Sequence, residues 1–203
     1  MKLYILRHED RTQDATFFSP LTLLGLEKSE KLSEYLIQNK INFTQIYSSP
    51  FIRTLQTINP YCKEKNINIK LEYGLAEIQR DKLIPCNSYQ VRLPEYMAKL
   101  FNYDSKYKTI IEPENFEYPE NEKHVSKRIK IVLSNIIEKY GNTYETILFV
   151  THGAICGEIM KIIYNSCSLI KPEKEIINKY PIGSLTLILD DINWTFIPQN
   201  WKY

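Results

Sequence analysis

The chain has 203 residues, 43% hydrophobic and 25% charged, enough for one compact domain with a substantial core and too few for two independent ones. Lysine and arginine total 26 against 24 acids, a formal net charge of +2 that gives no support to a general nucleic-acid-binding or membrane-surface role. Arg7 cuts the first apolar run short, and no uncharged run reaches the roughly 18 residues a spanning helix needs, so the expectation is a cytoplasmic protein without a membrane partner.

Residues 2–7 read as a short apolar strand ending at Arg7-His8. A helix over 21–38 follows Ser19-Pro20, with Gly25, Ser29, Leu32 and Leu36 on one face, the two small residues allowing close approach to a sheet. Residues 44–48 form the next strand candidate, and Pro50 opens a helix that Pro60 should kink or stop. Alternation of Ile67, Ile69 and Leu71 with polar neighbours marks a third strand over 66–72. The segment 73–121 has weak periodicity, many tyrosines and several prolines. It reads as an insertion within the single domain, with short helices around 88–101, and its length suits a lid or substrate-facing surface.

Periodicity returns at Val125, Ile129, Val132, Ile136 and Tyr140, a helix with one buried stripe that Gly141 is well placed to end. Residues 146–150 are a β-branched and apolar run, followed by Thr151-His152-Gly153 and a helix through Tyr164. Residues 184–189 and 194–197 suggest a closing hairpin. Strands alternating with helices predict an α/β fold, a three-layer αβα sandwich around a mainly parallel central sheet.

Cys62, Cys86, Cys156 and Cys167 have irregular gaps and no C-x-x-C pair, so neither a disulfide framework nor a zinc site is signalled, and no metal or cofactor is expected. Two of the three histidines, His8 and His152, directly follow predicted strands. Ligands of open α/β sheets bind at the carboxyl ends of strands, so these side chains can meet although far apart in sequence. His124, in Glu122-Lys123-His124 at a helix start, reads as a solvated surface residue.

The informative feature is an ordered set: Leu6-Arg7-His8, Leu21-Thr22-x-x-Gly25, Ile46-Tyr47-Ser48-Ser49-Pro50-x-x-Arg53-x-x-Gln56-Thr57, Leu75-x-Glu77, and Val150-Thr151-His152-Gly153. This series resembles the histidine phosphatase superfamily, whose fold is phosphoglycerate-mutase-like. The resemblance implies that His8, kept neutral, attacks phosphorus to form a phosphohistidine, within a cradle of Arg7, Arg53 and His152 supplemented by the Gly153 and Ala154 N–H groups at a helix start. Glu77 occupies the family's acid position and is the choice for proton donor to the leaving group, ahead of Asp10 and Asp81.

One departure stands beside the nucleophile: the glycine of the usual R-H-G signature is Glu9 here. Arg7-His8-Glu9-Asp10-Arg11 resembles an altered R-H-G-E-R signature in a branch that includes the T-cell-receptor-signalling suppressor phosphatases, which implies Arg11 as an additional phosphate-binding cation. Pro119-Glu120-Asn121 and Arg128 resemble a remnant of the family's G-E-S signature and the arginine of the following helix.

The expectation is thus a metal-independent phosphomonoesterase acting on a small phosphorylated molecule or a phosphorylated side chain. The alternatives are a phosphate- or partner-binding module of the same fold with weakened catalysis, motivated by Glu9, and a phosphoglycerate mutase. A cysteine hydrolase pairing Cys156 with His152 at i,i+4 is the remote option. Nothing in the sequence specifies an oligomeric state.

Overall fold

The computed structural model describes residues 1–14, 16–80, 92–166, 180–190 and 194–199. Along the chain run β1 (Lys2–Arg7), α1 (Leu23–Gln38), β2 (Gln45–Ser48), α2 (Ile52–Lys65), β3 (Ile69–Leu71), α3 (Glu95–Ala98), α4 (Glu122–Tyr140), β4 (Thr146–Thr151), α5 (Gly153–Ser166), β5 (Leu185–Asp190) and β6 (Trp194–Gln199). The strands make one sheet in the order β3-β2-β4-β1-β5-β6. β3, β2, β4 and β1 are mutually parallel, and β5 and β6 add an antiparallel hairpin beyond β1.

The period of two along the central strands sorts the core onto two faces. Tyr4 and Leu6 of β1, Ile46 of β2, and Leu148 and Val150 of β4 join Leu32 and Leu36 of α1 and Leu55 and Ile58 of α2. Leu3 and Ile5 of β1, Tyr47 of β2, and Ile147 and Phe149 of β4 join Val125, Ile129 and Val132 of α4 and Ile155 and Ile159 of α5. This is the expected three-layer αβα arrangement. Burial on both faces explains why β4 reads as a continuous apolar run rather than an alternating one. Phe149 is fully buried on the α4/α5 side, and Phe149→Ala would cost about 3–5 kcal/mol.

Helix ends follow local chemistry. Thr22 caps α1 by accepting the Gly25 N–H, so the helix starts two residues later than the sequence pattern suggests. Asn121 caps α4 in a reciprocal box with His124, whose ring also lies 3.0 Å from Glu117. His124 is therefore a half-buried cap rather than a freely solvated residue. Gly141 does end α4, but with φ −51°, so its smallness serves the close approach of the Ile137 carbonyl rather than a left-handed turn. The residue that takes the left-handed conformation is Asn66, at φ 52°, which ends α2 and shortens the third strand to Ile69–Leu71.

Two further expectations change. Pro60 neither stops α2 nor marks its end, because Ile58, Tyr61 and Cys62 around it are buried in the core and hold the helix through the missing N–H. Gly25 does allow a close approach, but to the loop after β1 rather than to the sheet: a Cβ there would stand 2.1 Å from the Asp10 carbonyl oxygen. In segment 73–121 a 3-10 turn at Tyr73–Leu75 precedes residues 81–91, which lie outside the described residues with Asp81 and Cys86. Beyond them come α3 and a second 3-10 turn at Pro113–Asn115.

The buried carboxylate of Glu72 ties this segment to the end of β3. It accepts from Tyr107 Oη (2.6 Å), Thr109 Oγ1 (2.9 Å) and the N–H groups of Gly74 (2.8 Å), Ile110 (2.7 Å) and Ile111 (3.2 Å). Among the described residues no helix is long and apolar enough to cross a membrane.

Candidate active site

β1 and β4 pair in parallel with Arg7 opposite Thr151, so His8 and His152, the next residue of each strand, emerge side by side at the carboxyl edge of the sheet. The His8 N–H donates to the Thr151 carbonyl at 3.0 Å, extending the ladder by one step. The two ring centroids are 5.3 Å apart, with planes inclined at 65°. Both side chains are buried, with relative exposures of 3% for His8 and 0% for His152.

His8 Nδ1 lies 2.7 Å from the carbonyl oxygen of Glu9. A carbonyl only accepts, so Nδ1 carries the proton. Burial, reinforced by the nearby guanidinium groups of Arg53, Arg7 and Arg11, pushes the ring down to about 3 from its ordinary value near 6.5. Near neutral pH the imidazole is therefore uncharged, and its lone pair is on Nε2. Position 9 supplies this carbonyl and also an N–H that donates to Thr57 Oγ1 at 3.0 Å, so backbone of the substituted residue serves the site while its side chain is fully buried.

Three cations surround the histidine pair. Arg53 is 1% exposed, stacks 4.5 Å above the Phe51 ring and donates Nη1 to the Thr16 carbonyl at 2.7 Å. Burial pulls it down to about 10, and it remains charged at neutral pH. Arg7 donates Nη1 to the Tyr180 carbonyl, and its guanidinium lies against Gly153: a Cβ at that position would stand 3.0 Å from Arg7 Cζ. A side chain at 153 would therefore have to push the cation back by a few tenths of an ångström. Arg11 donates Nη1 to the Thr12 carbonyl at 2.6 Å and is close enough to depress His8, Arg7 and Arg53 electrostatically.

Arg7 Nε, Arg53 Nε and His152 Nδ1 are buried without a hydrogen-bond partner among the described residues. Buried donors of this kind are expensive unless something occupies them. A tetrahedral oxyanion has the charge and acceptor count to do so.

Glu77 lies beside His152, with Oε2 3.8 Å from His152 Nδ1 and Oε1 accepting the Ile78 N–H at 3.0 Å. Its loop is held from behind by a buried ion pair. Arg128 donates Nε to Glu120 Oε1 and Nη2 to Glu120 Oε2, at 2.7 and 2.9 Å, and Nη1 to the Gly74 carbonyl at 2.7 Å. Glu120 Oε2 in turn accepts the Gln79 N–H at 2.9 Å, two residues from Glu77.

Asp10 is placed differently, accepting from the Thr22 hydroxyl at 2.7 Å at the start of α1. Asp81 falls outside the described residues. Ala154 follows Gly153 in the first turn of α5. Cys156 is fully buried on that helix, and its thiol is pushed up by burial, which removes the thiolate a cysteine hydrolase needs.

Sequence reasoning missed the function-bearing contacts of two residues. Ser49, in the sequence only one residue of the block that leads to Arg53, has its Oγ 2.8 Å from His152 Nε2. Tyr180 orients Arg7 through its backbone carbonyl and bonds Ile5 O and Thr186 with its hydroxyl. Such long-range pairs leave no periodic trace.

Two neutral imidazoles among guanidinium groups, with the Glu77 carboxylate beside the second ring, give the carboxyl edge of the sheet the charge and donors that an oxyanion would match. The chain belongs to the histidine phosphatase superfamily (branch 1), which it matches over residues 4–175. It is 27% identical to the transcription factor tau 55 kDa subunit of Saccharomyces cerevisiae over 75% of this chain, and spans only 38% of that protein. With an uncharacterised phosphoglycerate mutase family protein of Acanthamoeba polyphaga mimivirus it shares 29% identity over 76% of this chain and 67% of the relative. The crystal structure of ecdysone phosphate phosphatase from Bombix mori in complex with tungstate superposes with a TM-score of 0.76 at 16% identity, covering 100% of this chain and 95% of that one, and so shares the fold.

Proposed function

We propose that the protein is a phosphomonoesterase that works through a phosphohistidine on His8, needs no metal, and acts on a small phosphorylated molecule or a phosphorylated side chain. The observation that carries this reading is the His8 ring itself. It is neutral, anchored through Nδ1 on the Glu9 carbonyl, and offers an Nε2 lone pair 5.3 Å, ring to ring, from a second imidazole among three arginines.

In the first step Arg7, Arg11, Arg53 and His152 hold the equatorial oxygens of the phosphoryl group, and Nε2 of His8 forms a bond to phosphorus as the ester P–O bond breaks. Glu77, in its acid form, gives its proton to the departing oxygen. In the second step the Glu77 carboxylate takes a proton from water, whose oxygen bonds phosphorus while the N–P bond breaks. The lone pair returns to Nε2, and inorganic phosphate is released. The guanidinium groups supply throughout the positive charge that other phosphatases draw from metal ions.

Segment 73–121 is the substrate-facing part of the domain in this reading, because it carries Glu77 into the site at its start and is tied back to the sheet by Glu72. The test is hydrolysis of an aryl phosphate in the presence of a chelator, with acid-stable and acid-labile phosphoprotein separated after rapid quenching. Turnover above the His8→Ala protein, with an acid-labile phosphoryl group on residue 8, is expected. Absence of both over pH 5 to 8 with several substrates would overturn the assignment.

A second reading is favoured by one observation, the carboxylate at position 9 in place of the signature glycine: a phosphate- or partner-binding module with little turnover. It predicts tight binding of vanadate or a phosphorylated ligand without hydrolysis. A mutase activity ranks below both, and phosphoryl transfer between phosphoglycerate positions after priming with bisphosphoglycerate would raise it.

A further inference from the structure

Ser49 lies one residue beyond β2, and its N–H donates to the Val150 carbonyl at 2.9 Å, so its position is set by the sheet. The residue is fully buried. Its Oγ accepts the Phe51 N–H at 3.4 Å, and Thr54 Oγ1 donates to its carbonyl at 2.7 Å. A serine hydroxyl has one proton to give, and the acceptor recorded for it among the described residues is His152 Nε2, at 2.8 Å. A ring nitrogen that accepts carries no proton. Burial together with Arg53, His8, Arg128 and Arg7 disfavours the imidazolium, so the single proton of His152 sits on Nδ1.

Nδ1 is the edge of the ring nearest the Glu77 carboxylate. It is buried, has no hydrogen-bond partner among the described residues, and stands 3.8 Å from Glu77 Oε2, beyond hydrogen-bonding range. With the opposite tautomer this edge would turn a lone pair toward the bound oxyanion.

We propose that Ser49 is a positioning residue that fixes the tautomer of His152, so that Nδ1 presents an N–H to a phosphoryl oxygen. The inference rests on the proposed function for the identity of the oxyanion, but not for the tautomer. His8 and His152 then hold the same tautomer and show the site opposite edges: His8 its Nε2 lone pair, His152 its Nδ1–H.

The experiment is two-bond proton–nitrogen NMR of the intact, 15N-labelled protein at neutral pH, with the His152 ring assigned by its loss in His152→Gln, alongside titration with orthovanadate. The wild type is expected to show a protonated Nδ1 and a bare Nε2. Ser49→Ala is expected to lose that preference and to bind orthovanadate about ten- to a hundredfold more weakly, while Ser49→Thr, which keeps the hydroxyl, restores both.

A protonated Nε2 in the wild type overturns the proposal, as does a Ser49→Ala protein with unchanged tautomer and unchanged vanadate affinity. If Ser49→Ala fails to fold, the wild-type spectrum alone decides. Failure of the catalytic reading looks different: Ser49-dependent Nδ1 protonation with no hydrolysis. An active enzyme with Nε2–H on His152 would leave catalysis standing and remove the role of Ser49.

Discussion

The rings of His8 and His152 face each other at 5.3 Å because Arg7 and Thr151 are register partners in a parallel ladder. One residue of slip in that register would turn one of the two side chains to the opposite face of the sheet from the other. The site is therefore a direct consequence of core packing, since Leu6 and Val150 commit one face and Ile5 and Phe149 the other.

The depressed His8 sets the first prediction. The folded protein keeps residue 8 unprotonated down to about pH 3, whereas the unfolded chain takes up a proton there near 6.5. Between these values the unfolded state binds more protons, so stability falls as pH is lowered through the window. Urea midpoints measured from pH 7 to 4 are expected to decline, and His8→Asn to decline less steeply. The same shift keeps the nucleophile available in acid, so kcat/KM should not fall with an apparent pKa near 6.5. An identical pH slope for His8→Asn would contradict the assignment.

Glu77 should be read through the leaving group. An alkoxide needs a proton and a nitrophenoxide hardly does. Glu77→Gln is expected to lose about 10²–10⁴ in kcat/KM, which reports the step that expels the leaving group, on alkyl phosphates and far less on nitrophenyl phosphate, as measured across a series of leaving groups. Equal losses across the series would remove the proton-donor role and leave Asp10 or Asp81 to be tested in turn.

How much of this was legible from residues alone depends on range. β1 and β4 stand out because their apolar runs stop at Arg7-His8 and Thr151-His152, and the rule that α/β sheets bind ligands at strand ends brings the two imidazoles together. The α4 stripe at Val125, Ile129, Val132 and Ile136 is buried as its spacing requires. The contacts of Ser49 with His152, of Tyr180 with Arg7 and of Glu72 with five donors are polar pairings across the fold, and no local propensity encodes them. Pro60 misleads for a related reason: tertiary burial of its neighbours outweighs the lost hydrogen bond, whose cost is local.

The Glu120–Arg128 pair should behave as a buried ion pair that loses both partners' compensation when one is removed. Arg128→Ala leaves Glu120 uncompensated and frees the Gly74 carbonyl, and should destabilise by about 3–5 kcal/mol. Glu120→Gln, which keeps shape and part of the hydrogen bonding, should cost less. Thermal unfolding of both variants gives the comparison. Because Glu120 also takes the Gln79 N–H, both variants are expected to lower kcat more than they raise KM, through a looser Glu77 loop. Unaltered kcat in a folded Arg128→Ala protein would separate the pair from the acid.

Position 9 offers the sharpest test of the catalytic reading against the binding-module one. Its carbonyl anchors His8 and its N–H is taken by Thr57, and both contacts are backbone, so Glu9→Gln preserves them along with side-chain volume. What changes is the charge. A negative charge several ångströms from a phosphoryl dianion costs on the order of 1–2 kcal/mol even at the dielectric of bulk water, and more where water is excluded, so its removal should raise kcat/KM by about tenfold or more. If the intact protein binds vanadate but does not hydrolyse, and Glu9→Gln or Glu9→Gly restores turnover, the carboxylate is what silences a competent site. If either exchange lowers activity, the carboxylate supports the site through its own buried contacts, and repulsion is the wrong account of it.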